Sequence, residues 1–283
     1  MDRYAIFVDA GYFFVAGAQA ASGLTTTRKQ ISVKSPRKMV DELCVAAAKM
    51  SDNLPLLRVY WYDATPGSRA SLDQSTLALL SGVKLRLGAM NSVGKQKGVD
   101  SLIVTDIIDL ARNRAISDAV VVTGDEDLRI AFQVAQSFGV RMHILAVGDP
   151  MKNVSPALQM EADSVEVLDS AWFTKHFDLS TPEPQVPLNA PHPTDQTTSL
   201  ETAAKEVIDG MLVGMGQDRL IQLAVHFTTQ QTIPPDIDRP FIAKVSDALS
   251  GQQLTGKEKR HIRGQFVNAV KDLIATRRAQ KEL

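Results

Sequence analysis

The chain has 283 residues, 44% hydrophobic and 22% charged, the proportions of a globular protein with room for more than one domain. Its formal net charge of −1 excludes a general attraction to nucleic acid, so any such surface must be local. A single cysteine, Cys44, excludes an internal disulfide and suits packing in a reducing compartment. No apolar run approaches the ~20 residues of a bilayer span. Asp9 interrupts the one N-terminal stretch that resembles a signal peptide, so a cytoplasmic protein with no membrane contact is expected.

Tyr4 to Val8 is predicted to be a buried strand ending in Asp9, with a tight turn at Gly11 and a helix over Tyr12 to Ala20. Residues 23–34 lack a period and read as a loop. Ser35 and Pro36 form a helix start, Ser as cap and Pro in the first position, followed by a stripe of Met39, Val40, Leu43, Cys44, Ala47 and Met50. Leu56 to Tyr62 is the next strand, ending before Asp63. Ser68 or Ser71 opens a helix carrying Leu72, Leu77, Leu79 and Leu80. Val83 to Leu87 alternates like an edge strand, and residues 88–97 read as a polar loop.

Residues 98–115 predict a helix with Asp100 in its first turn, where a carboxylate suits the helix dipole or a metal. Asp106 lies about 240° around that helix from Asp100, so the two do not share a face. Leu102, Ile103 and Leu110 surround Asp106, which marks it as partly buried, and Asp109 reads as solvated. Ala119 to Thr123 is an apolar, β-branched run bounded by Asp118 and Gly124, typical of a strand covered on both faces. A helix with Ile130, Ala131, Val134, Ala135 and Phe138 follows, stopped by Gly139, and then a strand at Val140 to Val147. This β–turn–α–β order implies a parallel sheet with a right-handed crossover. Asp125 and Asp127 occupy the turn at the strand's carboxyl end, where open α/β sheets bind ligands. One helix cap needs one carboxylate; a divalent cation above the turn accounts for the second. A short helix near 155–161, a strand at Ser164 to Leu168 and a helix at Ala171 to Phe177 complete a domain of residues 1–177.

Residues 178–198 hold five prolines among Thr, Ser and Asn and read as a semi-extended linker. Residues 199–283 form an all-helical module, with stripes at 203–213, 219–227, 241–249 and 258–275 and a turn at 233–240. From Lys257 onward, eight Lys or Arg face three Asp or Glu. Lys257, Lys259, Arg260 and Arg263 are therefore candidate nucleic-acid contacts, although a solvated helix face explains them as well. The module would guide RNA, or mediate protein contacts or homo-oligomerisation. GQQLTGK, 251–257, has P-loop spacing but follows a helix and precedes Glu258, so it is set aside. The five histidines lack metal-ligand spacing, His143 reads as a packed strand residue, and no Ser–His–Asp arrangement is legible.

Asp9, Asp100, Asp125 and Asp127 thus converge on one sheet edge. Carboxylates there suit Mg²⁺ or Mn²⁺, which prefer hard oxygen donors, activate water and offset charge on a phosphoryl group. At IFVDAGYFF (6–14), KGVDSLIVTDIIDLA (97–111) and VVTGDEDLRIAFQVAQSFGVRM (121–142) the chain resembles the NYN family of PIN-like nuclease domains. RVYWYDATPG (58–67) is similar to a further family segment, and the resemblance covers about residues 3–170. It implies a Rossmann-like parallel sheet sandwiched by helices. It also implies Mg²⁺- or Mn²⁺-dependent hydrolysis of phosphodiester bonds, usually of RNA, single-stranded or structured. By position, Asp9, Asp100, Asp125 and Asp127 would be the catalytic metal ligands. Asp106 matches a recurrent acid, Lys97 would meet phosphate, and Thr123 opens the T-G-D-x-D turn. Tyr12 replaces an asparagine, which alters any polar contact there. The competing expectations are a non-catalytic RNA-binding or regulatory scaffold that retains the acids and, last, a small-substrate phosphatase, for which the first strand lacks a D-x-D-x-T context.

Overall fold

A computed structural model describes residues 2–24, 26–65, 70–90, 96–179, 200–249, 251 and 254–279. The chain divides into two compact units, Met1–Ser68 with Leu77–Thr181, and Arg69–Thr76 with Pro182–Leu283. Through residue 179 the elements run β1 (Tyr4–Asp9), α1 (Ala10–Ser22), β2 (Ile31–Val33), α2 (Pro36–Met50), β3 (Leu56–Thr65) and α3 (Leu72–Ala78). They continue with β4 (Val83–Met90), β5 (Gln96–Lys97), α4 (Val99–Arg112), β6 (Asp118–Val122), α5 (Arg129–Ser137) and β7 (Arg141–Val147). α6 (Pro150–Asn153), α7 (Pro156–Glu161), β8 (Ser164–Leu168), α8 (Ser170–His176) and β9 (Phe177–Leu179) follow.

β1 and β6 are apolar without alternation because helices cover both faces of the sheet. Tyr4, Ile6 and Val8 pack on one side with Phe13, Leu43 and Phe173 from α1, α2 and α8. Ala5 and Phe7 pack on the other with Ile103, Ile107 and Phe132 from α4 and α5. The first layer is aromatic: Phe13 meets Trp61 and Phe173 edge-on, each at 5.3 Å between ring centres, a favoured geometry. A methyl group at Gly17 would collide with the Phe173 ring, so glycine lets α1 and α8 approach.

Sheet order is β5-β4-β3-β1-β6-β7-β8, with six parallel strands and β5 antiparallel at the edge. The chain steps outward from β1 through β3 to β4. After α4 it resumes at β6, on the other side of β1. The strand order therefore reverses between β1 and β6, the place where open α/β sheets form a ligand crevice above the carboxyl ends of the strands.

Several local features differ from the expectation: β3 runs on through Asp63 to Thr65, and α3 ends at Ala78, before Leu79 and Leu80. The expected loop at 23–34 contains a 3₁₀ turn at Arg28–Gln30 and β2, which pairs antiparallel with β9; three residues are too few to display a period. Ser35 stands at the start of α2 but makes no side-chain cap bond. The stretch 88–97, expected as a polar loop, includes the end of β4, which runs to Met90, and β5 at 96–97; residues 91–95 lie outside the described residues. The turn expected at 233–240 is mostly helix.

That helix belongs to the second unit, whose described helices are α9 (Leu200–Val213), α10 (Gln217–Thr229), α11 (Pro235–Ala248) and α12 (Gly256–Ala279). Pro235 starts α11 where a missing N–H costs nothing, while Pro240 lies inside it. Leu72, Ile208, Leu223, Phe241 and Phe266 form its core. Arg219 joins Asp73 at 3.0 Å to Asp236 at 2.9 Å. The linker expected at 178–198 falls largely on 180–199, outside the described residues. No helix among them is long and apolar enough to cross a membrane.

Candidate active site

β1 delivers Asp9 to the crevice, and α1 begins at the next residue, with no separate turn between them. The carboxylate is consequently also the helix cap: Oδ1 accepts from the Gly11 amide at 2.9 Å and the Tyr12 amide at 3.3 Å. Asp9 is only 8% exposed. Burial pushes its pKa up to about 6; the two amides pull the other way, and the negative charges of Asp100 and Asp125 add to the rise.

Asp100 stands in the first turn of α4. Desolvation raises its pKa, and repulsion from Asp125 and Asp127 raises it further. Past β6 the chain turns through a 3₁₀ segment, Glu126–Leu128, where Asp125 Oδ1 accepts the Asp127 amide at 3.0 Å. Asp125 and Asp127 are exposed. Three elements distant in sequence thus bring four carboxylates within electrostatic reach of one another.

The accessory residues divide differently. Thr123 is fully buried, and its Oγ1 accepts the Asp125 amide at 3.2 Å; it shapes the turn. Asp106 accepts the Tyr62 hydroxyl at 2.9 Å and Arg86 Nε at 3.0 Å, with Arg86 Nη2 at 3.4 Å. Six residues also place it about 9 Å along α4 from Asp100. Asp106 anchors α4 to β3 and β4, so it is a support and stands apart from the four acids. Neither Tyr62 nor Arg86 was identified from sequence; the acid lying opposite the alternating strand VKLRL was the available signal. Tyr12 accepts the Val147 amide on its hydroxyl at 3.0 Å. The Lys97 side chain lies outside the described set.

In the second unit, Arg263 is held by both oxygens of Asp238, each at 2.7 Å. That pairing neutralises one of the four expected nucleic-acid contacts. Lys257 and Arg260 are exposed and Lys259 half-buried.

The structure also assembles a Ser–His–Asp group that spacing did not reveal, at the opposite, amino edge of the sheet. His143 bonds Asp118 at 3.0 Å through Nε2 and Ser164 at 2.8 Å through Nδ1. Asp118 is 1% exposed and already paired with Arg141 at 2.8 Å. A carboxylate neutralised in this way and sealed from solvent ties β6, β7 and β8 together; it does not serve a nucleophile.

The rim acids are oxygen donors collected without a basic partner among the described residues, the donor chemistry of a hard divalent cation. No three acidic, histidine or cysteine side chains among the described residues stand close enough to enclose an ion by themselves. The set fits an ion held by one or two carboxylates and otherwise by water and substrate oxygens, the usual manner of Mg²⁺.

A sequence profile of the NYN domain matches residues 3–169, more than half of the chain. The chain belongs to the NYN domain family. NYN domains fall within the PIN-like nuclease superfamily, and the six parallel strands flanked by helices agree with that fold. An uncharacterised protein of Sinorhizobium fredii, y4oD, is 35% identical over 206 residues, spanning 69% of this chain and 95% of the relative. A protein of unknown function from Vibrio parahaemolyticus aligns with 19% identity and a TM-score of 0.40, over 59% of this chain and 93% of its own. The nicotinamidase SaPncA of Staphylococcus aureus aligns with 14% identity and a TM-score of 0.26, over 59% and 100%.

Proposed function

We propose that this NYN domain is a ribonuclease that hydrolyses RNA phosphodiester bonds at the rim of Asp9, Asp100, Asp125 and Asp127. One observation carries the reading. The four carboxylates stand at the point where strand order reverses, and their mutual repulsion adds to the burial that raises the pKa values of Asp9 and Asp100. A polyanionic substrate approaches such a rim only with a cation between, and Mg²⁺ or Mn²⁺ matches the donors. When bound, that ion supplies charge neutralisation at the phosphoryl group and lowers the pKa of water.

The chain's own residues supply the rest. The Gly11 and Tyr12 amides hold Asp9 Oδ1, and the Asp127 amide holds Asp125 Oδ1. Each acid is fixed through one oxygen and keeps Oδ2 for the site. Asp100, more exposed and with an elevated pKa, is suited to take a proton from the attacking water. In-line attack would leave a 5′-phosphate and a 3′-hydroxyl. Lys257, Lys259 and Arg260 on α12 are the proposed RNA contacts outside this domain, and the action is placed in the cytoplasm.

Cleavage of single-stranded RNA with Mn²⁺, by the full chain and by the Asp9→Asn/Asp125→Asn variant, tests the assignment. Loss of product in the variant is expected; undiminished cleavage overturns the site. The spacing of the acids also admits a second reading, a non-catalytic RNA-binding scaffold. It predicts salt-sensitive binding indifferent to EDTA, with no product on a gel.

A further inference from the structure

We infer that Tyr12 is a positioning residue of the proposed site, holding the supports of Asp9 and Asp125 in register; the inference rests on the ribonuclease reading. Its backbone amide donates to Asp9 Oδ1. Its hydroxyl accepts the amide of Val147, the last residue of β7, at 3.0 Å. Its ring lies against Gly124, the residue before Asp125: a Cβ there would stand 2.6 Å from Tyr12 Cε2 and would collide with the Asn153 carbonyl oxygen.

Asn153 belongs to the same assembly. Its Nδ2 donates to the Val147 carbonyl at 2.9 Å. Two residues on, the Ser155 amide donates to the Gly124 carbonyl at 3.0 Å, and Ser155 Oγ donates to Glu126 Oε2 at 3.0 Å. The segment from Val147 to Ser155 is therefore a strap over the acid turn. Tyr12 packs Gly124 on one side and the Asn153 carbonyl packs it on another. Tyr12 also joins α1, which Asp9 caps, to that strap. Only a glycine at 124 lets the two approach so closely.

The side chain thus combines a polar contact to Val147 with a flat surface against Gly124. The expected consequence is catalytic, because a displacement of about 1 Å in a reacting group can cost on the order of a hundredfold in rate.

Tyr12→Phe keeps the ring and removes the acceptor for Val147; Tyr12→Leu also removes the flat surface against Gly124. Steady-state cleavage of RNA with Mn²⁺, amide hydrogen exchange and urea midpoints are to be measured on the full chain. Expected are faster exchange at Val147 in Tyr12→Phe and at Asp127 in Tyr12→Leu. kcat should fall about tenfold in the first and about a hundredfold in the second, with KM within about twofold. Unchanged kcat in both variants overturns the inference, as does a loss confined to KM, which would make Tyr12 a substrate contact. If the unaltered chain cleaves no RNA, the ribonuclease reading falls on its own. Faster exchange at Asp127 in Tyr12→Leu would then still support the positioning, and unchanged exchange would overturn it.

Discussion

Asp9→Asn should make the first unit more stable at neutral pH while removing its proposed activity. Asparagine keeps an oxygen for the Gly11 and Tyr12 amides and caps a helix about as well as aspartate, so the substitution deletes a charge and little else. The folded-state pKa of Asp9 is about 6, against an ordinary 3.8. At about 1.4 kcal/mol per pH unit, that difference amounts to about 3 kcal/mol of native-state penalty. The sign follows from proton counts. Between pH 3.8 and about 6 the folded chain holds the Asp9 proton more tightly than the unfolded chain, so stability falls as pH rises through that window. Below it the acid is neutral in both states and the penalty vanishes. The gain in Asp9→Asn should therefore be near zero at pH 3.5 and reach about 3 kcal/mol by pH 7, or roughly 6–12 °C in melting temperature. Both tryptophans, Trp61 and Trp172, lie in the first unit, so urea titrations followed by tryptophan fluorescence report that unit alone. Mn²⁺ should narrow the gap, because a cation relieves the same repulsion in the unaltered chain. A variant no more stable at pH 7, or a gain equal at both pH values, would refute the reasoning.

Asp106→Ala should cost about 1–3 kcal/mol, because Arg86 and the Tyr62 hydroxyl both lose their partner. Cleavage should persist below the new melting temperature, and its abolition in folded protein would add Asp106 to the catalytic set. Replacing Lys257, Lys259 and Arg260 by Glu should weaken RNA binding and reduce the salt slope by about 2, on the single-strand value of about 0.7 per phosphate contact. Acids are tolerated in the first turn of α12, so the fold should survive. Unchanged affinity across a salt titration by fluorescence anisotropy would remove this surface from the RNA path.

Placement of Asp9, Asp125 and Asp127 was legible in the sequence because each stands where an apolar, β-branched run stops. In a sheet covered on both faces that stop is the carboxyl edge. Asp100 was legible as an acid in a helix's first turn. Asp106 was not, since its neighbours at helical spacing show that it is partly buried but not that Arg86 and Tyr62 meet it. The brief β2 and β9 gave no period, and the prolines of α11 imitated a turn because a proline at a helix start and one in a loop look alike in one dimension. The Asp118–His143–Ser164 group depends wholly on strand pairing, since its members lie on three different strands, β6, β7 and β8.

Periodicity and strand-end acids by themselves determined the α/β class and the edge on which the proposed acids stand, because both follow from local geometry along one element. Only the tertiary structure decided that β6 pairs with β1, which brings residues more than a hundred positions apart to one crevice. It also decided which polar groups are consumed as supports: Thr123, Asp106, Arg263 and Tyr12 all look available in sequence and are already bonded in the fold. The physical reason is that a buried or half-buried polar group must find a partner, and that partner is set by packing between elements, which no local pattern encodes.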